Sequence, residues 1–185
     1  MEELTGYCKY CSTLDKDNVH AHYHDHEYGF PIDNDNGLFE RLVLEINQAG
    51  LSWSTILHKK ANFQRAYDGF AIQKVANYGE KDRNRLLSDA GIIRNKLKIN
   101  AAIHNAQQIL IRIEEYGSFS AWLNHHHPLS NKDEWTKLFK RTFKFTGGEI
   151  VNEFLMSTGY LPGAHCNSCS IQDEIIKKGP KWLEK

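Results

Sequence analysis

The chain has 185 residues, of which 41% are hydrophobic and 25% charged, an ordinary globular composition that suits one domain over residues 1–185. No apolar run approaches the roughly eighteen residues that a membrane span needs, and the acidic, polar start at Met1–Tyr7 is unlike a secretory signal, so we expect a cytoplasmic protein with no membrane partner. Lys plus Arg equals Asp plus Glu at 23 each, which excludes a simple polycationic binder but permits a neutral body with one basic face.

The hydrophobic pattern predicts helices joined by short turns. Gly50, Gly117 and Gly159 stand where helices should end, Ser52 can cap a helix, and the residues from Thr146 to Glu149 fit a capping box. No stretch alternates as a strand would, so we predict an all-α domain with an irregular start and an irregular end. Apolar residues at helical spacing place the helices at about 38–46, 53–67, 72–76, 81–87, 94–116, 119–124, 133–141 and 150–155.

The two ends of the chain carry all four cysteines, as two CxxC pairs, together with many of the ten histidines. In a reducing compartment such pairs indicate metal ligands or redox thiols before disulfides. Zinc prefers thiolate and imidazole ligands, and a closed site drawing on both ends would clamp them to the helical body. Four free thiols are the alternative. Two ligand sets fit: Cys8, Cys11, Cys166 and Cys169, or a Cys₂His₂ set that includes His24 and His165.

Glu45 lies at the edge of an apolar helical stripe, three residues after Leu42 and seven after Leu38. Spacing alone favours a carboxylate that reaches water. The tight turn that follows ends in Trp53, however, and a carboxylate facing an aromatic wall is how a pocket would hold a flat, hydrogen-bonding ring that can carry positive charge.

A turn of Ala90, Gly91 and Ile92 joins a short helix to the long one. Such a turn presents backbone N–H groups to an anion at a helix N-terminus, and Arg94 and Lys96 follow at once. The segment is similar to a helix-hairpin-helix, which holds a DNA phosphate without reading sequence. The alternative is an ordinary helical hairpin whose basic residues are merely solvated.

Together these pieces resemble the 3-methyladenine DNA glycosylase I (Tag) family, from about Cys11 to Cys169. The resemblance implies a helix-hairpin-helix superfamily fold with a zinc site that joins the N- and C-terminal segments. The motifs that carry it are Tyr-His-Asp-His-Glu-Tyr-Gly at 23–29, Leu-Glu-Ile-Asn-Gln-Ala-Gly-Leu-Ser-Trp at 44–53, Ala-Gly-Ile-Ile-Arg at 90–94, Lys-Ile at 98–99, Phe-Lys-Phe-Thr-Gly at 143–147, and His165 with Cys169.

The resemblance also implies roles for individual residues. One structural zinc ion would be held by four ligands, which leaves Cys8 and Cys166 as bystanders, and Glu45 would contact the base and assist bond cleavage. Trp53 would stack on the base, and Tyr23 would contact the edge of its ring. To these we add Tyr28 as a further base contact, and Gly50 and Leu51, in the turn between Glu45 and Trp53, as our candidate for a wedge that fills the gap in the duplex. The turn at Ala90, Gly91 and Ile92, with Arg94 and Lys96, would hold phosphates. The implied zinc ligands are Cys11, His24, His165 and Cys169.

The chain departs from the family pattern at Thr13. Family members usually carry an aromatic residue two positions after the first zinc cysteine, and Thr cannot supply that wall of the base pocket. Tyr28 and Tyr10 are the nearest residues that could lean into the gap. We expect the more open pocket, with weaker binding of free 3-methyladenine.

The predicted function is that of a monofunctional DNA glycosylase, which flips 3-methyladenine out of double-stranded alkylated DNA and hydrolyses its N-glycosidic bond. We expect a monomer that releases the free base and leaves an abasic site. Two alternatives come from other classes. One is a zinc-stapled DNA-binding module without catalysis, and the other is a zinc hydrolase, which would need three ligands and an open coordination position.

Overall fold

The computed structural model describes residues 3–127 and 131–184, and within them the chain forms helices and no strand, as the sequence predicts. The predicted single-domain span of 1–185 also includes residues 1, 2, 128–130 and 185, which lie outside the described part. Short 3₁₀ helices cover Asp68–Phe70 and Lys181–Leu183. The α-helices are α1 Gly6–Cys11, α2 Val19–His26, α3 Asp35–Gln48, α4 Trp53–Ala66, α5 Ile72–Ala76, α6 Glu80–Ser88, α7 Lys96–Tyr116, α8 Phe119–His126, α9 Lys132–Thr142, α10 Gly148–Ser157 and α11 Ser170–Lys177.

Helix α3 is the centre of the packing, because it contacts α4, α5, α7, α8 and α10. Its apolar residues recur at helical spacing and are fully buried. Among the described helices, none is both long and apolar enough to cross a membrane. Large aromatic side chains fill the space around α3: Phe39, Phe63, Phe70, Phe119, Trp122, Trp135, Phe139 and Phe154.

Local capping explains most helix ends. The Ser52 hydroxyl accepts a hydrogen bond from the Thr55 N–H at 3.2 Å, and Gly117 ends α7 with a φ of 90°. The capping box predicted from Thr146 is wrong: Gly147 occupies the N-cap position of α10, and the Thr146 hydroxyl instead donates to the carbonyl oxygen of Phe143 at 3.3 Å.

The ends of the described chain are irregular only in part. Residues 12–18 and 158–169 form turns and bends, as the sequence predicts, but the helices α1, α2 and α11 were not predicted. Helix α2 was missed because its buried face is built from His20, Tyr23 and His24, which give no aliphatic periodicity. Helix α11 was missed because it is short and buries only Ile175. Contacts with α1 and α4, rather than a strong local pattern, hold α2 in place.

One face of α7 anchors two loops that are distant in sequence. The buried ammonium group of Lys98 donates to the carbonyl oxygens of Asn47 at 2.9 Å and Ala49 at 2.6 Å, at the end of α3. About two helical turns further on, the Asn105 amide exchanges two hydrogen bonds with the backbone of Lys144, at 3.0 and 2.8 Å. Lys98 is therefore a structural anchor, although its place in the sequence suggested only one more basic residue near the hairpin.

Candidate base pocket and metal-ligand group

A cavity of about 280 Å³ lies where α1, α2, α3, α4 and α10 meet. Its volume is close to the lower end of the few hundred Å³ that are typical of small-molecule sites. The cavity brings together all four residues that the sequence predicts to contact a base, along with three that the sequence reasoning missed. It is lined by Tyr7, Tyr23, Tyr28, Glu45, Gln48, Trp53 and Glu153.

Glu45 is buried in the wall of this cavity, with only 3% of the residue exposed. Burial raises the pKa of its carboxyl to about 8, although the charge of Arg41 acts in the opposite direction and that of Glu153 adds to the rise. Among the described residues, none forms a hydrogen bond with this carboxyl. Its oxygen atoms are therefore free to interact with a molecule in the cavity.

Arg41 fixes the position of the Tyr23 ring. Its guanidinium lies over the ring, 4.7 Å from the centroid, and also donates a hydrogen bond to the Tyr23 hydroxyl. A second hydrogen bond runs from Arg41 to Glu27 at 3.1 Å, and Lys60 donates to the same carboxylate oxygen. Arg41 and its partly buried carboxylate partner Glu27 thus hold Tyr23 in place in one wall of the cavity.

Trp53 forms the wall beside Tyr23, with 5.2 Å between ring centroids and 62° between ring planes. Its indole Nε1 is buried and has no hydrogen-bond partner within residues 3–127 and 131–184. A buried donor without a partner is costly, so a ligand acceptor in the cavity would remove that cost. The predicted Ser52 cap positions this residue as the first of α4.

Tyr7 supplies an aromatic wall that the sequence reasoning missed. It comes from α1 and meets Tyr28 almost at a right angle, with 5.7 Å between the ring centroids. Thr13 is exposed, and its hydroxyl donates to the carbonyl oxygen of Tyr10 at 2.7 Å, so it lines no part of the cavity. The gap expected at Thr13 is therefore closed by Tyr7 and Tyr28, while Tyr10 points largely to solvent. The signal available in the sequence was an aromatic residue directly before Cys8.

A buried group of two thiols and two imidazoles lies beside the cavity, formed by Cys8, His24, His165 and Cys169. Their possible ligand atoms all lie within 4.8 Å of one another. The Cys169 sulfur is 3.5 Å from His165 Nδ1 and 3.7 Å from His24 Nε2, and the Cys8 sulfur is 3.6 Å from His165 Nδ1. A tetrahedral zinc ion with bonds of about 2.0–2.3 Å has edges of about 3.3–3.8 Å, so these separations fit one ion.

The structure differs from the sequence prediction in one member of this group. It places Cys8, and not Cys11, with the other three residues. The two cysteines are three residues apart on α1, and the docking of this helix turns the Cys8 sulfur toward His165. The Cys11 sulfur lies instead 3.7 Å from the carbonyl oxygen of His20, at the end of the helix.

The surroundings of the group suit imidazole ligands. His165 Nε2 lies 2.8 Å from the carbonyl oxygen of Tyr28, and His24 Nδ1 lies 2.7 Å from a carboxylate oxygen of Asp25. Each ring can therefore donate its outer N–H and present its other nitrogen to a metal, which is the usual arrangement around metal-binding histidines. The Cys166 N–H also donates to the Cys8 sulfur at 3.5 Å.

The residues predicted to contact DNA lie on two loops. Leu51 is 42% exposed beside Gly50, whose φ of 80° is left-handed, and the loop is anchored to α7 by Lys98. In the hairpin, Arg94 and Lys96 are exposed and form no ion pair with any described residue.

In the hairpin turn, backbone groups that the sequence suggests are free already form hydrogen bonds within the protein. Ile92 is buried, and the Gly91 N–H donates to the Asp89 carboxylate at 2.7 Å, so this amide is not free for an anion. Lys59 donates to the carbonyl oxygens of Ala90 and Gly91 at 3.1 and 3.2 Å. The basic side chains are therefore better placed to meet a phosphate than the Gly91 amide is.

Comparison with known proteins gives the class to which this architecture belongs. A family model described as methyladenine glycosylase matches residues 13–138, which is more than half of the chain. The chain belongs to the methyladenine glycosylase family. It is 36% identical over 178 residues to the DNA-3-methyladenine glycosylase 1 of Escherichia coli (strain K12), covering 86% of this chain and 94% of the relative. It is 31% identical over 177 residues to the DNA-3-methyladenine glycosylase of Haemophilus influenzae, covering 86% and 95%.

Solved structures agree with this assignment. The 3-methyladenine DNA glycosylase I of Staphylococcus aureus, studied for its recognition of 3-methyladenine, superimposes with a TM-score of 0.79 at 33% identity, over 90% of this chain and 97% of that one. A solution structure of 3-methyladenine DNA glycosylase I gives a TM-score of 0.71 at 34% identity, over 91% and 96%. The helical fold is thus that of the family.

Proposed function

We propose that this chain is a monofunctional DNA glycosylase that removes 3-methyladenine from alkylated DNA by hydrolysis of the N-glycosidic bond, a step of base excision repair. The observation that carries the proposal is the buried carboxyl of Glu45, which faces a cavity walled by Tyr7, Tyr23, Tyr28 and Trp53. A carboxyl group among aromatic walls suits a flat, cationic, hydrogen-bonding ring. The names of the relatives at 36% and 31% identity support the same substrate.

Cleavage of this N-glycosidic bond requires little acid catalysis and no strong nucleophile from the protein. A base methylated at N3 carries positive charge and is already a good leaving group, so the enzyme must mainly extrude the nucleotide, recognise the base and stabilise positive charge on the sugar. Glu45 hydrogen-bonds the base. The positive charge of the methylated base favours the ionised form of this carboxyl, which contributes the electrostatic stabilisation. Trp53 and the tyrosines enclose the ring. No lysine lines the cavity in the described part of the chain, so Schiff-base chemistry is not expected.

The buried Cys and His group would hold one zinc ion through Cys8, His24, His165 and Cys169. Four protein ligands leave no open position for water, so the ion would supply folding stability and not catalysis. This argues against a zinc hydrolase. The ion would tie α1 and α2 to the segment before α11, and the same segments carry Tyr7, Tyr23 and Tyr28 to the cavity.

The two exposed loops, around Leu51 and in the hairpin before α7, would contact DNA. Leu51 would enter the gap that the extruded nucleotide leaves, and Arg94 and Lys96 would meet phosphates. We expect a monomer that acts on double-stranded DNA in the cytoplasm.

The decisive test is release of a base. The protein is incubated with methylated duplex DNA and the released bases are separated by chromatography, with Glu45→Gln as the impaired variant and Glu114→Gln, at an exposed position of α7, as the matched control. We expect 3-methyladenine from the wild type and from Glu114→Gln. Binding to DNA with no released base would instead identify a DNA-binding module without catalysis.

A further inference from the structure

A second carboxyl group enters the base pocket from another helix. Glu153 of α10 lines the same cavity as Glu45 of α3, although the two are far apart in sequence. Glu153 also lines the wider groove of about 570 Å³ that includes Gly50 and Leu51. Glu153 therefore lies between the pocket and the loop that is expected to enter the duplex. The proposed glycosylase mechanism assigns it no role.

The Glu153 side chain is held in position. Its Oε2 accepts a hydrogen bond from the Tyr28 hydroxyl at 3.1 Å. Within the described part of the chain, this is the one hydrogen bond that Glu153 accepts, so its other acceptor positions are available to a ligand. Burial raises the pKa of Glu153, and the charge of Glu153 in turn raises that of Glu45.

Two carboxyl groups in one poorly solvated pocket tend to share a proton, because two like charges close together are unfavourable. The pair then offers a carboxylate that accepts and a carboxylic acid that donates. The edge of an adenine ring has the matching groups, since its exocyclic amino group donates and its ring nitrogens accept. The edge of a guanine ring places a carbonyl oxygen where adenine has the amino group, and a carboxylate repels that oxygen.

We propose that Glu153 is a second base-contacting carboxyl group, and that together with Glu45 it makes the pocket prefer an alkylated purine with an exocyclic amino group over one with an exocyclic carbonyl at the same edge. The proposal rests on the proposed base-binding function of the cavity and deepens it. A merely structural Glu153 would act only by holding Tyr28. In that case Tyr28→Phe and Glu153→Gln would have the same effect on both kinds of base.

The test is titration of the protein with free 3-methyladenine and with free 3-methylguanine. Binding is measured through the quenching of tryptophan fluorescence. Glu153→Gln should weaken binding of 3-methyladenine about tenfold, the cost of losing a hydrogen bond to a charged group. It should also shift the ratio of the two affinities toward 3-methylguanine by about tenfold, because an amide can donate to the carbonyl. Tyr28→Phe should leave that ratio closer to the wild-type value.

The control is Glu114→Gln. Glu114 is exposed on α7 and lines neither the base pocket nor the adjoining groove, so its substitution should change neither affinity. If Glu153→Gln does not fold, Glu153→Asp retains the carboxyl but withdraws it by one methylene. It should then bind 3-methyladenine more weakly while keeping the preference for it.

The outcomes separate this proposal from the function on which it rests. Unchanged affinities and an unchanged ratio in Glu153→Gln, with weakened binding in Glu45→Gln, would remove Glu153 from base recognition and leave the glycosylase intact. Equal effects of Tyr28→Phe and Glu153→Gln on both bases would also overturn it. A wild type that binds neither base and releases none from methylated DNA would overturn the proposed function itself.

Discussion

Replacing Glu45 by Gln should make the protein more stable and less active. The carboxyl has a pKa of about 8 in the folded protein, whereas an unperturbed Glu has 4.5. Between these two values the folded state keeps a proton that the unfolded chain has lost, so the free energy of unfolding of the wild type falls as the pH rises through this window. A Gln side chain does not titrate, so the stability of the Glu45→Gln variant does not fall with pH for this reason.

The size of the effect follows from the same pKa values. Each unit of difference corresponds to about 1.4 kcal/mol. The variant should gain nothing near pH 4.5, about 3 kcal/mol at pH 7 and about 5 kcal/mol above pH 8 relative to the wild type. Above pH 8 the difference should be constant, because the carboxyl is then ionised in both states.

The assay is chemical denaturation of the wild type, Glu45→Gln and the control Glu114→Gln at intervals from pH 4.5 to pH 9. Any loss of the proposed zinc ion at low pH would affect all three proteins alike and cancel in the comparison. Release of 3-methyladenine under single-turnover conditions should fall tenfold to several hundredfold in Glu45→Gln, or about 1.4 to 3 kcal/mol. Parallel stability curves for wild type and variant would refute the buried-carboxyl reasoning, and an unchanged rate would remove Glu45 from the mechanism.

Three further predictions concern the metal group, the hairpin and the pocket wall. Cys8→Ser should lose bound zinc and melt at a lower temperature, while Cys11→Ser should keep the metal by elemental analysis; the reverse pattern would restore Cys11 as the ligand. Changing both Arg94 and Lys96 to Ala should weaken binding to undamaged duplex and reduce the slope of log affinity against log salt by up to about two, with unchanged melting; strong discrimination among undamaged sequences would contradict phosphate contacts. Tyr7→Ala should weaken binding of free 3-methyladenine by roughly 1–3 kcal/mol in a fluorescence titration, and an unchanged affinity would show that this ring does not enclose the base.

Local patterns were enough to predict the turn that carries the site. Leu38, Leu42 and Ile46 mark the buried face of α3, and the cap at Ser52 places Trp53, so the order carboxylate, turn, aromatic could be predicted before any tertiary contact was known. That Glu45 is buried and not at the solvent-facing margin depends on α2 and α10, which contribute Tyr23 and Glu153 to the same cavity. Spacing on one helix carries no information about such neighbours.

The docking of α1 could not be predicted. Cys8 and Cys11 lie on the same short helix, and the choice between them depends on how that helix rotates against the segment around His165, which is remote in sequence. The same rotation carries Tyr7 into the cavity and leaves Thr13 outside it. Glu153 was missed for a related reason, since a carboxylate on an amphipathic helix is usually solvated.

The hydrogen bonds of Lys98 and Asn105 tie two loops of the proposed DNA-facing surface to a single helix, α7. Each residue holds a separate loop, and each loop presents an exposed apolar side chain, Leu51 at 42% and Phe145 at 39%. The two anchors are roughly 10.5 Å apart along the helix, a distance fixed by its rise per residue. Bending or unstacking a duplex costs an energy that depends on its sequence, so a duplex that contacts both loops would deform to match that fixed spacing at a sequence-dependent cost. Because both loops are bonded to α7, a tilt of this helix would move the two loops together.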